Sequence, residues 1–310
     1  MKILFTGASS FTGMWFIKEL ASQGHEITCI FPRAKEAYQG IRKNRLDAVL
    51  PRCEPLFSCT FGSDPFLELV ESKPWDILCH HAAEVNHYKS PDFDVVSAVE
   101  KNTFRLPDVF DRLKEKGCRK VLLTGSVFEQ NEGEGDNIDQ PVSPYGMSKG
   151  LTAEIFRYAC EQYQFSLGKF VISNPFGPYE EERFTTYLAK NWLAGNVPEV
   201  SHPDYVRDNI HVSLLAKLYA RSLEALNNAS GYMQWNPSGY CESQGEFTRR
   251  FSNEMEKRLS VPCKFTLAVQ NDFPEPKTRI NTQPVNKEGL GWREKDAWDQ
   301  LASFYRAYYG

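Results

Sequence analysis

The opening segment, Lys2 to Phe31, restricts the fold more than any other part of the chain. Lys2-Ile3-Leu4-Phe5-Thr6 is a short apolar run of the buried-strand kind, and Gly7-Ala8-Ser9-Ser10-Phe11-Thr12-Gly13 follows it directly. A helical segment from Met14 to Gln23 stops at Gly24, and Glu26-Ile27-Thr28-Cys29-Ile30-Phe31 reads as the next strand. Strand, glycine turn, helix, strand is the βαβ order of a dinucleotide-binding unit. The glycines allow a tight turn and a close backbone approach, which puts a diphosphate at the helix N-terminus where amide N–H groups point outward. The spacing is Gly-x-x-x-x-x-Gly, with Ser10 where a middle glycine is usual. Serine is small and can donate a hydrogen bond, so Gly7, Ser10, Phe11 and Gly13 are expected to face the cofactor.

The alternation continues. Strands are expected near Leu56–Cys59, over Asp76–His80, over Lys120–Thr124 and over Lys169–Ile172, with helices over 65–72, about 93–116 and 145–163 between them. This order predicts an α/β fold of the Rossmann type, a doubly wound parallel sheet. After Asn174-Pro175-Phe176-Gly177-Pro178 the alternation loosens into a smaller mixed lobe with aromatic helices such as Phe184–Leu193. The expected division is 1–173 for dinucleotide binding, with 204–228 returning to it, and 174–310 mainly for substrate. Glu132-Gly133-Glu134-Gly135-Asp136-Asn137 reads as a mobile acidic surface loop beside the active site. Trp292, Trp298, Tyr305 and Tyr308 read as packing.

Charge excludes some partners. The formal net charge is −4 over 310 residues, which gives no footprint for nucleic acid or an anionic membrane. No apolar run reaches the roughly 18–20 residues that span a bilayer. Met1-Lys2 runs straight into the first strand, leaving no room for a signal peptide. The 8 cysteines are scattered without Cys-x-x-Cys spacing, and the six histidines lack zinc-ligand spacing. A reduced, cytoplasmic, metal-free protein is expected.

Chemistry concentrates in Tyr145-Gly146-Met147-Ser148-Lys149. Residues four apart share one helix face, and an ammonium beside a phenol stabilises the phenolate, lowering a pKa that is about 10 unperturbed. Such a phenol serves as a general acid/base near neutral pH. After the second strand comes Pro32-Arg33, where a carboxylate would hold the ribose hydroxyls of NAD(H). Arg33 suits a 2′-phosphate, so NADP(H) is expected ahead of NAD(H), which stays open. Arg42-Lys43-Asn44-Arg45 reads as a solvated helix face.

In order and spacing these features resemble the extended short-chain dehydrogenase/reductase family, in its nucleotide-sugar branch of epimerases, dehydratases and ketoreductases. The resemblance runs over nearly the whole chain. It rests on Thr6 to Gly13, His81-Ala82-Ala83, Asn102, Thr124-Gly125-Ser126, Tyr145 to Lys149, Asn174 to Pro178, and Arg207-Asp208-Asn209-Ile210-His211-Val212. It implies that Tyr145 exchanges a proton with the sugar while the nicotinamide exchanges a hydride. Lys149 would lower the phenol pKa and hold the nicotinamide ribose. Thr124, four residues before the aromatic Phe128, would be the hydroxyl helper, with Ser126 as the alternative on the substrate side. His81, Ala82 and Ala83 would line the cofactor, and Asn102 would orient the lysine. Asn174 and Arg207 would take the sugar diphosphate, Arg207 having Asp208 or Asp204 as an alternative partner. Glu84, or His87 beyond it, would begin the substrate-facing loop.

The dehydratases of this family carry an acidic pair directly after the strand-end threonine. Gly125-Ser126 stand there, which disfavours elimination. Thr-Gly-Ser-x-Phe-Glu-Gln resembles the element of CDP-sugar 4-ketoreductases, so reduction of a 4-keto-6-deoxy nucleotide sugar by NADPH is expected first. A 4-epimerase with retained NAD is the alternative, and a non-catalytic dinucleotide sensor or structural subunit is the alternative of another class. The family also suggests a homodimer through the helices holding Asn102 and Tyr145, with Phe104, Val109, Phe110 and Phe156 either on that face or in the core.

Overall fold

The computed structural model describes residues 1–310. The chain divides into two units, Met1–Glu132 with Ile138–Ile172 and Ala216–Asn236, and Gly133–Asn137 with Ser173–Leu215 and Pro237–Gly310. In the first, β1 (Lys2–Thr6), α1 (Phe11–Ser22), β2 (Glu26–Ile30), α2 (Gly40–Val49), β3 (Glu54–Leu56), α3 (Asp64–Ser72), β4 (Ile77–His80), α4 (Val95–Asn102), α5 (Leu106–Glu115) and β5 (Lys120–Ser126) follow in order. After the short β6 (Glu134–Gly135), which belongs to the second unit, come α6 (Pro144–Tyr163) and β7 (Ser166–Ile172).

The second unit goes on through β8 (Asn174–Phe176), α7 (Phe184–Leu193), β9 (Glu199–Val200) and β10 (Val206–His211). Helix α8 (Val212–Asn227) leads into β11 (Tyr232–Trp235) of the first unit. The remainder is β12 (Pro237–Ser238), β13 (Tyr240–Ser243), α9 (Gln244–Leu259), β14 (Thr266–Leu267), β15 (Thr278–Ile280), β16 (Gln283–Pro284) and α10 (Glu294–Tyr309).

Seven strands of the first unit form one parallel sheet in the order β11-β7-β5-β4-β1-β2-β3. Its inner strands β1, β2 and β4 are nearly continuous apolar runs because helices cover such sheets on both faces. β1 and β2 are each buried in all but their first residue, and β4 throughout. Ile3 pairs with Ile27 on one side and Ile77 on the other. From β1 the chain builds outward to β3, then returns to place β4 on the other flank of β1. That reversal opens a crevice at the carboxyl ends of β1 and β4, where ligands of doubly wound sheets bind. Val109, Phe110 and Phe156 are core residues packed with Leu78, Val121 and Leu167. Phe104 alone of the four apolar candidates for a dimer face is exposed.

Two expectations change in this unit. The segment 93–116 is two helices, not one. Arg105 stands between them at φ 50°, tied to Asp64 (2.7 Å) and Asp108 (2.8 Å), and Pro107 lies in the first turn of α5. The strand expected near 56–59 is Glu54–Leu56, since Ser58 turns the chain at φ 53°.

The second unit is held by an aromatic core, with Phe176, Trp192, Phe247, Phe251, Trp298 and Tyr305 buried together. Its principal sheet runs β13-β10-β15-β6, and β8 also pairs with β10. Two pairs of two-residue strands, β12 with β16 and β14 with β9, complete it. Of the acidic segment read as a mobile surface loop, 134–137 are exposed as expected, but Glu132 is buried and two residues pair into the sheet. Glu134 and Gly135 pair antiparallel with Ile280 and Arg279, and Gly135 at φ 140° lies so close to the Thr278 carbonyl that no side chain fits. Trp298 and Tyr305 pack in the core, Trp292 donates to Ser213 Oγ (2.8 Å), and Tyr308 is exposed.

Candidate active site

The crevice begins where β1 ends. Gly7 has φ 81°, and a Cβ on it would lie 2.8 Å from the Ala82 amide nitrogen, so only glycine lets the two loops meet. Ser10 caps α1. Its Oγ accepts from Gly13 N (3.0 Å) and donates to the Gly7 carbonyl (2.9 Å). The serine in place of a middle glycine therefore holds the turn itself. The first amides of α1 lack helical acceptors and form an anion cradle suited to a dinucleotide diphosphate.

At the end of β4 two histidines diverge. Thr6 Oγ1 accepts from the amides of His81 (3.1 Å) and Ala82 (2.9 Å), leaving its one proton for His80 Nδ1 (3.2 Å). His80 Nε2 then donates to the Asn102 carbonyl (3.2 Å). Burial, with the Lys149 charge, holds the His80 pKa down to about 3, so the ring is neutral, as this assignment requires. Asn102 takes the Glu84 amide on Oδ1 (2.8 Å) and gives Nδ2–H to Thr152 (3.2 Å), whose hydroxyl donates to the Ser148 carbonyl (2.8 Å). Asn102 thus orients α6 through Thr152. Glu84 Oε2 pairs with Lys101 (3.0 Å) and Oε1 accepts from Asn86 N (2.8 Å). His87 is exposed at φ 55°.

His81 turns the other way. Its Nδ1 lies 2.9 Å from Thr124 Oγ1, and its Nε2 3.0 Å from Ser10 Oγ and 3.1 Å from Thr12 Oγ1. The imidazole packs on Phe5 and Phe16 and bridges the phosphate loop to the strand-end threonine. Its ring is thus committed to protein contacts, and Ala82 is the member of the triplet that meets Gly7.

Helix α6 carries Tyr145 and Lys149, one turn apart. Ser143 caps it, accepting from Gly146 N (3.2 Å), and Pro144 opens its first turn. Tyr145 is half-buried, edge-on to Tyr88 (5.5 Å between centroids) and Phe93 (6.0 Å). One turn on, Lys149 is buried and donates to the Thr124 carbonyl (2.6 Å). Burial pushes its pKa down to about 8; the Glu129 carboxylate opposes this and the Lys169 ammonium adds to it. Lys149 and Thr124 are therefore brought together, with His81 beyond. Ser126 Oγ accepts from Phe128 N (3.2 Å).

The candidates further along the chain are fixed within the second unit. Asn174 lies on β8 opposite Asn209. Arg207 is buried, and its Nη1 donates to the carbonyls of Val206, Pro276 and Lys277, each at 3.0 Å. Its Nη2 meets Glu275 (3.1 Å), and the guanidinium stands over Tyr205 (4.4 Å). Neither Asp204 nor Asp208 pairs with it; Asp208 accepts from Gly239 N (2.6 Å) and Asn281 N (3.3 Å). Back in the first unit, Arg33 is exposed. It follows Phe31, which is buried against Phe57 and Tyr38 where a ribose-binding carboxylate would stand. Arg45, read as part of a solvated face, is fully buried over the Phe11 ring (5.8 Å).

Three site-adjacent groups escaped the sequence reading: Glu129, Glu132 and Lys169. Lys169 on β7 pairs with Glu129 (2.6 Å) and Glu132 (2.5 Å), and all three are buried. Lysine in an apolar strand, Lys169-Phe170-Val171-Ile172, was the available signal, since a buried ammonium needs carboxylates.

Residues 3–236 match the sequence model of the NAD dependent epimerase/dehydratase family. Among solved structures the chain is similar to the UDP-glucose 4-epimerase of Thermotoga maritima with UDP-glucose, at 14% identity and TM-score 0.74 over 99% of both chains. It is also similar to a Stenotrophomonas maltophila UDP-glucose 4-epimerase with bound NAD and formylated UDP-arabinopyranose, at 17% identity and TM-score 0.74, covering 99% of this chain and 98% of that one. A third likeness is the dTDP-glucose 4,6-dehydratase of Streptomyces venezuelae, with NAD bound, at 18% identity and TM-score 0.70, covering 99% and 98%. At such identities the likeness is one of fold. With the family match, the parallel sheet and the strand-end and helix motifs in hand, the chain belongs to the NAD-dependent epimerase/dehydratase family, within the extended short-chain dehydrogenase/reductases that its motifs resemble.

Proposed function

We propose that the protein reduces a 4-keto-6-deoxy nucleotide sugar with NADPH, Tyr145 being the general acid. The bound dinucleotide supplies the hydride. Gly7, Ser10, Phe11 and Gly13 form the phosphate cradle, Ala82 and Ala83 the backbone wall, and Arg33 the contact for a 2′-phosphate. Lys149 stabilises the phenolate that remains once Tyr145 has given its proton to the new alkoxide. Thr124 holds the sugar oxygen on the same side. Asn174 and Arg207 are the diphosphate contacts in this reading; for Arg207 that requires exchanging at least its Glu275 partner.

The observation that carries the choice of NADPH is the end of β2. A buried Phe31 and then Arg33 stand where NAD(H) would need a carboxylate. A dehydratase is disfavoured because Gly125 and Ser126 replace the acid pair. The nearest carboxylate, Glu129, is bound to the Ser126 amide (2.7 Å) and to Lys169. A second reading, a 4-epimerase with resident NAD, is favoured by the epimerases with bound UDP-glucose or NAD among the similar structures.

The experiment is cofactor analysis of the purified protein, titration with NADPH and NADH, and turnover of two probes. The reductase reading expects an empty site, tighter NADPH binding, and oxidation of NADPH by dTDP- or CDP-4-keto-6-deoxyglucose. Retained NAD with interconversion of UDP-glucose and UDP-galactose would replace it by the epimerase. In either case Tyr145→Phe should lower turnover by at least about a hundredfold, the usual scale of a lost general acid. Its cofactor affinity should be unchanged, and full turnover would remove Tyr145 from the mechanism.

We also propose a homodimer through α6. Met147, Leu151, Ile155 and Tyr158 recur on one exposed face of that helix, spaced four, four and three residues apart.

A further inference from the structure

Behind the carboxyl end of β5 lie four buried charges. Lys149 reaches the Thr124 carbonyl from α6, and Lys169 lies on β7 between Glu129 and Glu132. Glu129 is pinned by the Ser126 amide through Oε1 (2.7 Å), and Glu132 by Gln234 Nε2 (2.8 Å). Gly125 directly follows Thr124, whose carbonyl takes Lys149. A Cβ there would lie 2.8 Å from Lys169 Cε and 3.2 Å from Glu129 Oε1. The strand-end glycine thus leaves the space in which the ion pair reaches the strand.

One carboxylate would neutralise Lys169. Two leave an excess of one negative charge, which balances the Lys149 ammonium and makes the group of four neutral. Of the other titratable side chains around Lys149, His80 and His81 are neutral and supply no counter-charge, and Tyr145, one turn back on α6, supplies none while it holds the proton it gives in the proposed reaction. A buried ammonium with no anion near it sheds its proton.

We propose that Glu129 is a positioning residue: held by Ser126 and Lys169 against Gly125, its carboxylate supplies the counter-charge that keeps Lys149 an ammonium. This rests on reading Lys149 as the lysine that stabilises the Tyr145 phenolate. The Lys149 pKa of about 8 is consistent with it, since burial and Lys169 push it down while Glu129 holds it up. Without the Glu129 charge, Lys149 loses its proton nearer neutrality, and the Tyr145 phenolate loses its neighbouring cation at the pH where the reaction runs.

The test is direct titration of Lys149 in intact protein labelled with 13C at lysine Cε, its resonance assigned by its loss in Lys149→Arg. In Glu129→Gln the midpoint should fall by about one pH unit or more, the usual effect of a nearby opposite charge. In Lys169→Met it should rise, because a repelling cation is gone. Opposite shifts are the signature; a purely structural role would move both variants alike. If Glu129→Gln does not fold, Lys169→Met decides alone, and an unchanged or lowered midpoint there overturns the proposal. Equal midpoints in all three proteins overturn it as well. The readout needs no substrate, so an active Tyr145→Phe would refute the proposed function while leaving this result standing.

Discussion

Thr6 shows how much a single hydroxyl can settle. By accepting two amide protons it commits its own proton to His80, and the two adjacent histidines then take different tasks. His80 becomes a neutral strut between β1 and α4, stacked on Phe156 (5.0 Å), while His81 faces Thr124. His80→Leu orphans the Thr6 hydroxyl and the Asn102 carbonyl, at about 1–3 kcal/mol each at pH 7. The unfolded chain protonates this ring near 6.5 and the folded protein only near 3. Wild-type stability therefore drops by about 1.4 kcal/mol per pH unit in that window, a contribution the variant lacks. Urea melts at pH 7, 5.5 and 4.5 should show the gap between the two narrowing as pH falls; a constant gap would mean that His80 is not held neutral. The placement of Tyr145 and Lys149 on one helix, and of the glycines in one turn, was legible because each spacing lies within a single element. Glu129 and Lys169 were not, because their pairing spans residues that only the parallel order of β5 and β7 brings together.

Helix α6 was readable as a helix with Tyr145 and Lys149 on one face, but not for what its glycines do. Gly146 and Gly150, one turn apart, let the segment after β5 lie against it. A Cβ at Gly146 would come within 2.2 Å of the Phe128 carbonyl oxygen, and one at Gly150 within 2.3 Å of Gln130 Oε1. The first obstacle is backbone and the second is the end of a flexible side chain. Alanine gains roughly 1 kcal/mol over glycine inside a helix. Gly150→Ala should therefore be neutral or slightly stabilising in a thermal melt. Gly146→Ala should lose about 1–3 kcal/mol through overpacking and disturb Tyr145 beside it. Equal effects at the two positions would refute this reading of the contact. The break between α4 and α5 did leave a local signal, Pro107, which suits the first turn of a new helix, whereas the Asp64 contact that helps hold Arg105 is visible only in three dimensions.

For the whole molecule, no helix is long and apolar enough to cross a membrane. The exposed apolar face of α6 is the surface proposed above for a homodimer. Light scattering behind gel filtration should give twice the 35.5 kDa chain mass for the wild type and a single chain for Ile155→Glu. A monomeric wild type would end the dimer proposal. The parallel sheet was legible at this scale through its inner strands, which are short and apolar; its edge strand β11 was not, because Tyr232–Trp235 is only partly buried and no helix follows it. The mixed unit was not, because its strands are two to six residues long and pair across large sequence separations. One further consequence lies in the order in which the polypeptide visits its two units. β11 completes the parallel sheet on the edge of β7 only after Ser173–Leu215 has been laid down in the other unit, and 133–137 is lent to that unit in passing. Neither unit is a contiguous cassette. Recombination at a single junction within the chain would leave at least one unit incomplete, so in this architecture new specificity is more readily reached by substitution at fixed positions than by exchange of modules.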